Sequence, residues 1–202
     1  VGGILFDNRL QPDALTRMAL GVVANAQGMV RGEGRIDWTP QKVTSSGRFT
    51  TDSFDFAAAF GPVKGASGTI VFTDLLGMVT APAQQLRIAS INPGIEVNDG
   101  VVTYELRPDS VLAVDGGRWP FMDGTLRLQP VLMRMGIAEE RRYTLEIEGI
   151  SAARFVERLE LANLAATGTF DGVLPLIPDV GDIAARRPGA QLPTRDAAAV
   201  VV

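Results

Sequence analysis

The sequence predicts a mainly β protein, an antiparallel meander of about ten strands with one short helix near residues 151–161. Three observations lead there. Apolar residues recur at every second position in run after run, the period of a strand that buries one face and wets the other. Turn-forming Asp-Gly and Pro-Gly pairs fall between those runs at close spacing. Helical periodicity stands out in a single stretch.

The first strong strand is Val30–Trp38, where Val30, Gly32, Gly34, Ile36 and Trp38 share one face and Arg31, Glu33, Arg35 and Asp37 the other. Phe54, Phe56, Ala58 and Phe60 repeat the pattern. Val102, Tyr104 and Leu106 alternate with Thr103, Glu105 and Arg107. Leu126, Leu128 and Leu132 alternate with Thr125, Arg127 and Gln129, and Tyr143, Leu145 and Ile147 with Thr144, Glu146 and Glu148. Asp-Gly at 99–100, 115–116, 123–124 and 171–172, and Pro-Gly at 93–94 and 188–189, mark the expected reversals. The helix has Ser151 as its cap and Ala152, Phe155, Val156 and Leu159 on one side. Gln11–Ala24 is ambiguous: Pro12-Asp13 can open a short helix, but Gly21 and Val22-Val23 work against one. Residues 1–177 form the β-rich unit. From Pro178 to Val202 the pattern dissolves, and a poorly ordered tail is expected.

Composition narrows the chemistry. The 202 residues include no histidine and no cysteine, which removes the commonest neutral-pH base, thiol nucleophiles and the usual zinc ligands. The net charge is −4, and the basic residues, all arginine except Lys42 and Lys64, are scattered. Nucleic-acid binding therefore has no electrostatic footprint. The longest uncharged stretches, Met18–Val30 and Leu75–Leu86, are too short and too polar to span a bilayer. Asp52 with Asp55, and Asp115 with Asp123, are the acidic pairs a carboxylate-based hydrolase would need, but the latter two belong to Asp-Gly pairs whose carboxylates favour local backbone bonds. Gly65-Ala66-Ser67-Gly68 reads as a loop without the second glycine of a nucleophile elbow. No enzymatic activity, cofactor or metal is implied.

The strand glycines and the apolar faces are more informative. Gly28, Gly32 and Gly34, and later Gly168 and Gly172, mark either bends or places where another group lies close to the backbone. Val30, Ile36, Trp38, Phe54, Phe56 and Phe60 gather on one side of their strands, as do Leu106, Leu126, Leu128, Leu145 and Ile147. Such residues form either the closed core of a β-sandwich or an open apolar lining for acyl chains. At ~0.8 kcal/mol per methylene, an acyl chain of ~16 carbons leaves ~13 kcal/mol of apolar surface stranded in water, so a carrier must supply a continuous lining. Periodicity alone does not separate the two.

A set of ordered motifs adds a resemblance. These are Gly34-Arg35-Ile36-Asp37-Trp38, Ser46-Gly47-Arg48-Phe49-Thr50-Thr51-Asp52, Phe54 through Val63, and Phe72-Thr73-Asp74-Leu75-Leu76-Gly77. Ile91-Asn92-Pro93-Gly94-Ile95, Gly116 through Phe121, and Ala165 through Leu176 follow. Over about residues 25–177 the chain resembles the C-terminal region of the YdbH-type proteins of Gram-negative bacteria. That family carries the older label "dicarboxylate transport" and is related to TamB/AsmA-like envelope proteins. The resemblance implies a curved, taco-like β-groove that guides phospholipid acyl chains through the periplasm. It further implies a fragment of a longer protein anchored in the inner membrane, and a small outer-membrane lipoprotein as partner. It carries over no catalytic residue. The dicarboxylate label finds no clustered arginine pocket in the sequence. After Leu174-Pro175-Leu176 the chain departs from the family pattern. The alternative remains a closed β-sandwich serving as a structural or adhesive module of the cell envelope.

Overall fold

The computed structural model describes residues 2–19, 22–58, 61–92, 96–137, 142–158 and 165–176. The predicted tail at 178–202, the end of the predicted helix from Leu159 to 161, and Phe60 lie outside the described residues. In chain order the elements are β1 (Gly2–Phe6), α1 (Pro12–Leu15), a 3-10 turn (Arg17–Ala19), β2 (Ala24–Trp38), β3 (Val43–Ala58) and β4 (Gly61–Asp74). They continue with β5 (Val79–Thr80), β6 (Gln84–Ile91), β7 (Val97–Arg107), β8 (Val111–Phe121) and β9 (Gly124–Leu128). The last are β10 (Val131–Arg134), β11 (Tyr143–Ser151), α2 (Ala152–Arg158) and β12 (Thr169–Leu176).

All twelve strands belong to one sheet, in the order β1-β2-β3-β4-β6-β7-β8-β9-β11-β12, with β5 paired to β4 and β10 to β8. Each neighbour in that order follows its partner in sequence, so the sheet is the predicted meander. β5 and β6 act as one broken strand beside β4, interrupted at Ala81–Ala83. β9 and β10 do the same beside β8, and the break falls at Gln129-Pro130, where proline has no N–H for the ladder. That break inverts the alternation. Leu132, expected beside Leu126 and Leu128, pairs with Ala113 on the opposite face and is 66% exposed.

Two further expectations are corrected. Of the four Asp-Gly pairs, only Asp123-Gly124 makes a reversal, between β8 and β9; the other three lie inside strands. Asp115-Gly116 and Asp171-Gly172 serve bulges, which need the same backbone conformations as turns, whereas Asp99-Gly100 lies in a regular stretch of the β6–β7 ladder. Gly116 sits at a register shift between β7 and β8, and Asp171 Oδ1 accepts a hydrogen bond from Gly149 N (2.7 Å) at the bulge between β11 and β12. Gly65-Ala66-Ser67-Gly68 is part of β4 rather than a loop: small residues made it look like punctuation, but Ala66 is buried opposite Phe54. The ambiguous stretch Gln11–Ala24 contains a short helix opened by Pro12, α1, and the 3-10 turn. In α2, Ser151 Oγ accepts from Arg154 N (3.3 Å), the predicted cap, and Phe155 meets Phe170 of β12 edge to face, 5.3 Å between ring centroids.

A single flat sheet cannot bury one of its faces, yet Val63 is 1% exposed, Trp119 3% and Ile91 4%. Gly136, which follows β10, lies against the 3-10 turn between β1 and β2: a Cβ there would stand 3.4 Å from the Arg17 carbonyl oxygen. Five strands separate β2 from β10 in the sheet. Their connections meet because the sheet twists and curls over its apolar face. The described strands form one open sheet with no second sheet among them, so the sandwich alternative does not describe these residues.

Candidate functional site: the apolar face

Register decides which side chains share a face, because directly opposed residues of antiparallel strands point the same way. One cross-strand row runs Gly68–Leu86–Val102–Gly117–Leu128–Leu145–Leu174, through β4, β6, β7, β8, β9, β11 and β12. The row one residue away runs Ser67–Arg87–Val101–Arg118–Arg127–Glu146–Val173 and faces outward. The first is wholly apolar, and the second carries four charged residues. Seven strands at a spacing of ~4.8 Å make the apolar row ~29 Å long.

Around it, Phe54, Phe56, Leu106, Leu126, Leu128, Leu145 and Ile147 pack into one apolar cluster, as their alternation suggested. Val30 is half-buried opposite Ile4 of β1, outside that cluster. Ile36 is 51% exposed and Trp38 80%: the β2–β3 hairpin runs past the end of β4, so nothing covers them. The alternation gave these residues their face but not their cover.

Sequence reasoning missed Val63, Phe72, Ile88, Ile91, Val97, Val114 and Trp119, all buried in the same cluster. Val63 and Phe72 flank the small residues that disguised β4. Trp119 stands between Gly116-Gly117 and Pro120, which look like turn chemistry. Gly117 is part of its seat, and Gly100 of β7 is the rest. The indole lies across Gly100 and Gly117, and a Cβ on Gly100 would collide with its pyrrole ring. Its Nε1 has no hydrogen-bond partner, so packing alone holds it. Gly32, Gly34 and Gly47 play the same part for Phe49 and Leu75, whose side chains lie flat over them. These five strand glycines mark close approach of large side chains to the backbone, whereas Gly172 meets only the tip of Ile147, at 4.0 Å, and Gly168 nothing within 4 Å.

Tyr104, opposite Gln84 and Val114, has its phenol pushed up to about 12 by burial. The outward face carries exposed ion pairs, Arg31–Asp52 at 3.0 Å and Arg127–Glu148 at 2.9 Å, and a third, Arg154–Asp123 at 3.4 Å, joins α2 to the β8–β9 turn. The acids considered for hydrolysis are engaged separately: Asp52 with Arg31, Asp55 with the Gly65 N–H (2.7 Å), Asp115 near Arg107 and Asp123 with Arg154. Among the described residues no group of three or more acids could hold a metal ion.

An open meander with one charged face and one continuous apolar face is a sheet suited to sheltering hydrocarbon from water. The chain belongs to the YdbH-like family, described as "Intermembrane phospholipid transport protein YdbH", whose match spans residues 1–186. No curated protein and no solved structure matches it. Membership places the chain in a phospholipid transport family of the cell envelope, one that is not a family of enzymes. No helix among the described residues is long and apolar enough to cross a membrane.

Proposed function

We propose that this segment guides phospholipid acyl chains between the inner and outer membranes along the apolar face of its curled sheet, with headgroups in the periplasmic water. The observation that carries the reading is the unbroken row from Gly68 to Leu174, flanked one residue away by a charged row. An acyl chain fills about half of a ~30 Å bilayer core, so a row of ~29 Å accommodates one along its length with room to pass it on. Val30, Ile36, Trp38, Phe54, Phe56, Phe60, Leu106, Leu126, Leu128, Leu145 and Ile147 remain the candidate lining. Anchoring of the longer protein in the inner membrane, and a small outer-membrane lipoprotein as partner, belong to the same proposal.

The test replaces lining residues in the full-length protein. Ile147 is half-buried and tolerates change better than Leu128, so Ile147→Asp is the primary variant and Leu128→Asp the second. Both are expected to stop phospholipid transfer while strand content by circular dichroism persists. Glu146→Gln, on the charged face, is expected to transfer normally. Normal transfer by folded Ile147→Asp protein would refute the reading.

A further inference from the structure

The connection between β1 and β2 differs from the short turns that join most other strands, because it crosses the apolar face. It begins at Gln11, whose side chain joins the sheet as a backbone would: Nε2 donates to Ala26 O (2.9 Å), and Oε1 accepts from Ala26 N (2.8 Å). Nε2 also donates to Asp7 O (2.6 Å). Beyond this anchor, neither α1 nor the 3-10 turn contains a fully buried residue, and Leu15 is 56% exposed. The far contact is made by Met18, which, like Val22 just beyond the turn, packs half-buried against the apolar cluster, and by the Arg17 backbone, which abuts Gly136. Met135, immediately before Gly136, is 7% exposed.

From this we infer that residues 11–19 form a displaceable lid over the apolar face, hinged at Gln11 and latched by Met18 beside Gly136. The inference rests on the acyl-conduit reading and adds a control point to it. A segment with few buried contacts is the part of a fold that opens most readily. Methionine is a suitable latch, because its flexible thioether packs without a specific geometry and yields its place to another apolar group. With the lid seated, Met18 covers apolar surface that an acyl chain would occupy. With it lifted, that surface joins the rest of the face.

The experiment uses the full-length protein in membranes, with a photocrosslinking residue at Met135, near the latch, or at Leu145, elsewhere on the face. These 202 residues contain no cysteine, so Met18→Cys with Gly136→Cys introduces the one pair among them, and any cysteine elsewhere in the full-length protein is replaced by serine. Oxidation is expected to cut phospholipid adducts at Met135 several-fold, and reductant to restore them. Gly136 has φ +79°, where a side chain is strained, so Met18→Asp serves as an independent variant that unseats the latch. It is expected to raise adducts at Met135 several-fold. Unchanged Met135 adducts in both variants, with Leu145 labelled normally, would overturn the lid and leave the conduit standing. Absence of adducts at Leu145 in the unaltered protein would instead overturn the conduit reading, and the lid with it.

Discussion

Gly100→Ala is a small change with a large expected consequence. The added methyl enters the space of the Trp119 pyrrole ring, and the six-membered ring already rests on Gly117, where a Cβ would lie 2.5 Å from it. The indole cannot slide along the sheet, so it must lift away. An aromatic side chain of this kind buries ~200 Å². Re-exposing a third of that costs ~1.7 kcal/mol at ~25 cal/mol per Å², within the ~1–3 kcal/mol usual for overpacked cores. For a unit of this size that lowers Tm by ~3–7 °C. Trp38 is 80% exposed and Trp119 is the only other tryptophan, so a Trp38→Phe background isolates the buried signal. The variant should show red-shifted emission together with the lower Tm. Unchanged emission and Tm would refute the seating of Trp119 on glycine and, with it, the explanation given for the strand glycines.

Three other outcomes follow from the same structure. Asp74 is held below the usual carboxylate range by hydrogen bonds from Ser45 Oγ and the Gly77 and Leu76 N–H groups, a contribution present above the unfolded value and lost as pH falls through the folded one. Ser45→Ala should raise the Asp74 pKa, read by carboxyl NMR, and move acid unfolding to higher pH. In a Tyr143→Phe variant the remaining phenol, Tyr104, should ionise near 12 by ultraviolet absorbance; its raised value stabilises the fold below pH ~10 and that stability is lost as pH rises towards the folded value. Gln11→Ala leaves Ala26 N–H and C=O without their partner and should cost ~1–2 kcal/mol in urea unfolding, with faster hydrogen exchange at Ala26.

The sequence made the architecture legible because strand period and face are local properties. Val102, Leu128 and Leu145 announce their side of the sheet within a few residues, and the registers place them in one row. What was not legible depends on partners distant in sequence. Leu132 changes face because of a bulge at Pro130, and Asp99-Gly100 resembles a turn though Ile88 pairs with it in a strand. Trp119 disappeared among glycines whose purpose is visible only when the indole is seen lying on them. Ile36 and Trp38 show the opposite failure: periodicity assigned their face correctly, but cover depends on how far the neighbouring strand extends.

The central claim is that the two faces of one sheet differ in what they touch. Arg127 and Leu128 are adjacent in β9, one in the charged row and one in the apolar row. Photocrosslinking residues at these two positions in the full-length protein, irradiated in cells, should yield phospholipid adducts at 128 and none above background at 127. Equal labelling at both, or labelling at 127 alone, would contradict the account.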